Sequence, residues 1–221
     1  MLIHPWDAAL EPAEWQQWLA TTDHFGLLAV NNLDAAQAPW VLPSHFTPAG
    51  DELLMHLARP NPVWPHLEAA VEVRLAVVGD WAYVPTYWRA AEGIPVDEGV
   101  PTSYYSAVQF VCRPTVIDDP AEKAAVLTAQ LADLQPEGRH GAVSPDDGPY
   151  RRMLSGIRAI RLAVLRVDAK FKYDDAKPVE HRERVSAALE QRDEGLDAAA
   201  AGQQRRRLAA IGEWRARERD A

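Results

Sequence analysis

At least six stretches carry apolar residues at alternate positions, and most are joined by short turns; nothing else in the chain constrains its fold as much. "HFGLLAVNN" at 24–32 is the first and is ended by the polar run "NNLDAAQAP". "WVLPSHF" and "ELLMHLA" flank "TPAGD", whose proline and glycine mark a hairpin connection. "VEVRLAVVGD" puts Val71, Val73, Leu75 and Val77 on one face, with Glu72 and Arg74 opposite. A Gly-Asp turn is predicted at 79–80, after which "WAYVPTYW" continues as another strand. "AVQFVCRPTVI" follows, and "RAIRLAVLRVDAKFKY" has apolar residues on both faces, the mark of a buried strand. Strands that follow one another through short turns, without βαβ repeats, predict an antiparallel barrel with helices packed outside it. The fold class is therefore mainly β with peripheral helices.

The helices read as accessories. Pro12 suits the first turn of a helix over 10–22, where Trp15, Trp18 and Leu19 share a face. "NPVWPHLEAA" carries a short helix. "DDPAEKAAVLTAQLADL" has an acidic start, a proline in its first turn and then Val126, Leu127, Leu131 and Leu134. "PYRRMLSGI" gives a helical turn or two, and 89–103 and 135–147 read as loops. From 179 onward the chain reads as helical. The Ala- and Arg-rich end has high helix propensity and little apolar surface to bury, so it is expected to project or fray. The predicted organisation is a barrel domain over 1–190 with a helical tail over 191–221.

A chain of 221 residues can bury a real core, and none of its apolar runs approaches membrane-spanning length. "MLIHPWDAALEP" lacks the pattern of a secretory signal, and Cys112 is the only cysteine, so a cytoplasmic location is expected. The formal net charge of −9 argues against direct DNA binding, which needs a basic surface. The basic stretch "QQRRRLAAIGEWRARER" is read as a solvated helix end.

No phosphate-binding glycine loop, nucleophile elbow, H-E-x-x-H or CxxC pair is present, and no catalytic residue is assigned. A hairpin brings His45 and His56 together, but a metal centre usually needs a third ligand. No metal is expected, and two hydrogen-bonded histidines on a barrel rim is the simpler reading.

The most unusual segment is "HLARPNPVW" at 56–64, where a strand end carries His56, Arg59 and Asn61 ahead of Trp64. It resembles the G-H-x-A-x-x-N-P-x-W pattern of the PaiB family of FMN-binding split-barrel proteins, often labelled negative transcriptional regulators. "WAYVPTYW", "VPTSYYSAVQFVCRPTVIDD" and "RRMLSGIRAIRLAVLRVDAKFKYDDAK" are similar to further family segments in the same order, and the resemblance runs over about residues 2–190. It implies a split β-barrel of the FMN-binding type, a homodimer, and FMN or another small ligand as partner. On this resemblance Arg59 and Asn61 serve the flavin phosphate. Ser44 and His45 face the ring or ribityl chain, His56 is a further cofactor-binding candidate, Trp64 covers one side, and Lys170 and Lys172 occupy the family's K-x-K position. Where the family continues S-Q-N, this chain has "YDDAK"; Asp174 and Asp175 are expected to oppose an anion.

Each of these residues also has a plain structural reading. Asn61 caps a turn, Trp64 fills a core, Arg59 pairs with an acidic neighbour, and the lysines sit on a solvent face. Three functions stay open: a flavin-dependent oxidoreductase, a transcriptional regulator acting through a ligand or protein partner, and a cofactor-free or haem-binding module.

Overall fold

The computed structural model describes residues 1–91 and 93–219, with side chains described through Ile211. Among the described residues seven strands form one sheet: β1 (Phe25–Val30), β2 (Trp40–His45), β3 (Thr47–Ala49), β4 (Glu52–Ala58), β5 (Val73–Val84), β6 (Thr102–Ile117) and β7 (Ile157–Lys172). Their order is β2-β1-β5-β6-β7-β4-β3. β1 pairs antiparallel with β2 and β5, and β4 pairs antiparallel with β3 and β7. The helices are α1 (Glu14–Leu19), α2 (Trp64–Ala69), α3 (Thr86–Arg89), α4 (Pro120–Leu134), α5 (Tyr150–Ser155), α6 (Val179–Arg192) and α7 (Asp197–Arg219). The chain gathers into two compact units. The first comprises Met1–Thr22, Val78–Val108 and Asp168–Ala221, and the second comprises Asp23–Val77 and Gln109–Val167.

β5 departs from expectation at Gly79–Asp80. No hairpin forms there; the strand runs on for 12 residues. Asp80 takes a left-handed conformation, with φ at 49°. Val73, Leu75 and Val77 are buried before it, Ala82 and Val84 after it. The buried set thus slips from odd to even positions. A one-residue slip of this kind is what a bulge produces, whereas a reversal would need both central residues to turn the chain. Contacts within the first unit hold the bulge. The Asp80 carboxylate accepts from Trp18 Nε1 at 2.6 Å, and its carbonyl accepts from the Tyr173 hydroxyl at 3.1 Å.

In the second unit, α4 starts where predicted. Asp119 caps it by accepting from the Glu122 amide at 2.9 Å, and Pro120 opens the first turn. Its inner face is not the leucine stripe. Lys123, Ala124, Val126 and Gln130 are buried, while Leu134 is exposed. Lys123 Nζ donates to the Leu154 carbonyl at 2.6 Å, and the Gln130 amide donates to the Leu54 carbonyl at 3.4 Å. Polar side chains can occupy a buried helix face once such partners exist.

β7 is also less buried than its two-faced pattern suggests: Ile160, Leu162, Lys170 and Phe171 are buried, but Leu165 and Arg166 in its middle are exposed.

The largest correction concerns the C-terminal helix. Ala200, Ala201, Gln204, Arg207 and Ile211 of α7 are buried in the first unit, so this segment does not simply project. Arg207 has no exposed surface. It donates to both carboxylate oxygens of Glu14, at 2.7 and 2.9 Å, and to Asp175 at 2.6 Å. It also reaches the carbonyls of Trp6 and Ala8. Arg182 of α6 donates to the other Asp175 oxygen at 2.7 Å. Gln204 donates to the Tyr104 hydroxyl and the Tyr173 carbonyl, and Ser186 donates to Gln204. Apart from Ile211, the buried face of α7 is thus made of small residues and hydrogen-bonded polar ones, which an apolar count passes over. Arg205 and Arg206 of the basic stretch pair with Glu190 and Glu14, and the side chains of Arg215, Arg217 and Arg219 lie outside the described residues.

Removing one member of a buried ion cluster leaves its partners charged and unpaired, at a cost of about 3–5 kcal/mol. Arg207→Ala is expected to lower unfolding stability on that scale in urea denaturation. Arg205→Ala, which breaks a half-exposed pair with Glu190, should cost less than about 1 kcal/mol.

Candidate functional site

The predicted site residues fall into both units. Ser44, His45, His56, Arg59, Asn61 and Trp64 lie in the second, and Lys170 and Lys172 in the first.

In the second unit, β2 ends at His45 and β4 carries His56, and their imidazole centroids lie 5.2 Å apart with the planes at 71°. His56 Nδ1 is 2.6 Å from Gln130 Oε1. The Gln130 amide nitrogen faces the Leu54 carbonyl, so its oxygen faces the imidazole and Nδ1 carries the proton. Burial, and then the neighbouring His56, pull the His45 pKa below its ordinary 6.5, so it is neutral at pH 7. Ser44 is buried and donates to the His45 carbonyl at 3.1 Å.

The turn after β4 gives the side chains of Arg59, Asn61 and Trp64 internal partners. Asn61 Oδ1 accepts from the Val63 amide at 3.0 Å, which shapes the turn into α2. Trp64 is buried, donates from Nε1 to the Ala58 carbonyl at 3.1 Å, and has the Arg158 guanidinium 4.8 Å above its ring. Arg59 donates to the Ser155 carbonyl at 2.9 Å and pairs with Asp118 at 3.0 Å, while remaining about half exposed. Asp118 also binds Arg158, and those hydrogen bonds outweigh a small burial effect to hold its carboxyl below the usual range.

In the first unit, Lys170 and Lys172 project from one face of β7 on either side of a shared neighbour. Their ammonium groups lie 5.7 and 5.8 Å from the Tyr105 ring centroid. Lys170 donates to the Leu2 carbonyl at 2.9 Å and sits 3.5 Å from Asp7. Lys172 donates to the Thr102 hydroxyl at 2.7 Å, and among the described residues no carboxylate pairs with it. Burial, followed by repulsion from Lys170, lowers its pKa. Two ammonium groups share one carboxylate here, which leaves local positive charge.

The acidic pair after β7 does not act as expected. Asp174 adopts a left-handed conformation, φ 59°, and turns to Arg89, which binds it through Nε and Nη2 at 3.1 and 2.9 Å. The Tyr104 hydroxyl donates to it at 3.1 Å, and His181 lies 3.4 Å away. Burial pushes this carboxyl up, but His181, Arg89 and Tyr104 prevail and hold it below its usual range. Asp175 points inward to Arg182 and Arg207. Both charges are matched within the unit, so the predicted opposition to an anion is largely cancelled.

Sequence reasoning did not single out Gln130, Thr102 or Tyr105 as neighbours of the candidate residues. Thr102 and Tyr105 lie in the motif "VPTSYYSAVQF", where side-chain alternation would have put them on opposite faces. Gln130 carried one signal, a polar residue seven positions after Lys123 on an otherwise apolar helix face.

Over residues 1–166 the chain matches the family described as "Putative FMN-binding domain". It belongs to that family. No curated protein matches the chain in sequence. Solved structures share the fold at low identity. The FAD and heme binding protein from Mycobacterium smegmatis is 19% identical with a TM-score of 0.57, covering 81% of this chain and 78% of that one. The flavocytochrome Anf3 from Azotobacter vinelandii is 16% identical with a TM-score of 0.55, covering 80% and 78%. A conserved hypothetical protein, Rv2991, from Mycobacterium tuberculosis is 11% identical with a TM-score of 0.56, covering 80% and 94%. The expected fold class is therefore borne out: a mainly antiparallel split β-barrel with peripheral helices. Among the described residues no helix is long and apolar enough to cross a membrane.

Asp174 generates a pH prediction. Its folded pKa lies below the ordinary 3.8, so its stabilising contribution is present above that value and is lost as pH falls through the folded pKa. Asp174→Asn should flatten the acid limb of the stability–pH curve below about pH 4 relative to the unaltered protein, read by urea denaturation at each pH.

Proposed function

We propose that this chain is a flavin-binding protein of the PaiB type that holds FMN, with Lys170 and Lys172 as donors to its phosphate. The lysine pair carries the proposal. It presents two ammonium groups around Tyr105 with, among the described residues, only Asp7 as a paired carboxylate, while Asp174 and Asp175 are neutralised by their own arginines. A phosphate dianion placed there would gain charge-assisted hydrogen bonds and offset the repulsion from Lys170 that, after burial, lowers the Lys172 pKa. Thr102 adds a hydroxyl beside Lys172. Family membership supports FMN over other phosphorylated ligands.

Bound FMN would supply electron transfer, the chemistry of a small oxidoreductase, while the residues described here bind and orient it. The net charge of −9 favours a small ligand over nucleic acid as the partner. A homodimer is supported by the exposed apolar side chains of Val78, Trp81 and Tyr83 along one stretch of β5. The buried free thiol of Cys112, whose pKa burial pushes up to about 12, is in keeping with a reducing, cytoplasmic location.

The test is an absorbance spectrum of the purified protein after addition of FMN and removal of the excess. Retained bands near ~370 and ~450 nm are expected. Lys172→Ala should weaken FMN binding by roughly 10-fold or more, the value of a hydrogen bond to a charged group, and leave riboflavin binding nearly unchanged, because riboflavin lacks the phosphate. Absence of retained flavin, or equal losses for FMN and riboflavin, would overturn the assignment.

A further inference from the structure

The histidine pair of the second unit is not needed to hold a phosphate, and its geometry suits another ligand. We infer that His45 and His56 form a two-imidazole site for a divalent transition-metal ion of the copper(II) or zinc(II) class, oriented from behind by Gln130.

Three observations carry this inference. The first is the tautomer. Gln130 is 2% exposed and its amide nitrogen faces the Leu54 carbonyl, so its oxygen accepts from His56 Nδ1 at 2.6 Å. In that tautomer Nε2 is the nitrogen of His56 that carries the lone pair. An imidazole that ligates a metal almost always donates its other N–H to such a partner, which fixes the ring and raises its basicity.

The second is the second ligand. Among the described residues the His45 ring nitrogens have no hydrogen-bond partner, and both histidines are only partly buried, so an ion can reach them. The third is spacing. With metal–nitrogen bonds of about 2.0–2.1 Å, two imidazoles on a tetrahedral ion place their ring centroids roughly 5 Å apart. The observed separation is 5.2 Å.

Among the described residues no group of three or more His, Cys, Asp or Glu side chains could hold a metal. Water therefore fills the remaining positions, and the site keeps open coordination. Copper(II) stands above zinc(II) in the general order of divalent affinities and is the probe for two imidazoles without a thiolate.

The experiment uses the full, tag-free chain and copper(II) as probe, with binding followed by titration and the bound ion by electron paramagnetic resonance. One equivalent with nitrogen hyperfine structure is expected. His45→Asn and His56→Asn should each abolish it, while His24→Asn, which alters a histidine paired with Asp133 instead, should leave it intact. Gln130→Leu should weaken binding about 10- to 100-fold, the usual effect of losing an outer-sphere partner. Gln130→Glu, which offers His56 a stronger acceptor, should restore or tighten it. Copper that binds equally well without His45 or His56, or that ignores both changes at Gln130, is adventitious and overturns the inference. So does a protein that binds no copper. FMN retention is read independently of these outcomes, so failure of the metal site leaves the flavin assignment standing.

Discussion

Arg207 lies wholly inside the first unit, bound to Glu14 on one side and Asp175 on the other, and the organisation of that unit depends on this contact. Its carboxylate partners come from two distant parts of the chain, the helix at Glu14 and the residues following β7. Desolvating a guanidinium and two carboxylates costs several kcal/mol per ion, so the arrangement holds only while every member is matched. Arg182 supplies the second match for Asp175, and Arg206 supplies one for Glu14. Burial still raises the Asp175 pKa despite Arg207 and Arg182. Geometry and charge are thus specified together, and α7 has one register in which its buried face is satisfied.

That matching also sets the electrostatics around Lys170 and Lys172. Asp174 and Asp175 would weaken an anion site if they faced it. Arg89 takes one and Arg207 with Arg182 takes the other, and the lysine pair keeps its positive field. In the second unit the same logic produces a different result. Arg59, Asn61 and Trp64 are each engaged by neighbours, so the conspicuous "HLARPNPVW" segment forms a well-bonded turn. Among the groups there with unspent bonding capacity are the two histidines, of which His56 is oriented by Gln130.

Much of this was legible in the residues. Alternation located most of the strands, though not β3, and Asp119 with Pro120 marked the start of α4. The spaced motifs pointed to FMN-binding split-barrel proteins, and the match over residues 1–166 establishes membership of an FMN-binding domain family. Errors arose where a local signal has two tertiary outcomes. Gly79–Asp80 has the composition of a turn, yet with Trp18 and Tyr173 holding Asp80 it becomes a bulge. The leucines of α4 suggested its inner face, but backbone carbonyls of Leu154 and Leu54 accept Lys123 and Gln130 there instead. An Ala- and Arg-rich segment looked unable to bury anything, because an arginine counts as polar until its carboxylates are known.

By itself, the sequence determined the class of fold, the place of most elements and the set of chemically capable residues, because side-chain period and helix capping are local properties. Only the tertiary structure decided which charges cancel, which imidazole nitrogen carries a proton and which polar residues lie inside. Those outcomes depend on groups far apart in the chain: Glu14 with Arg207, Arg89 with Asp174, His56 with Gln130. An electrostatic or hydrogen-bonding role is a property of a pair, and no single stretch of sequence contains both of its members.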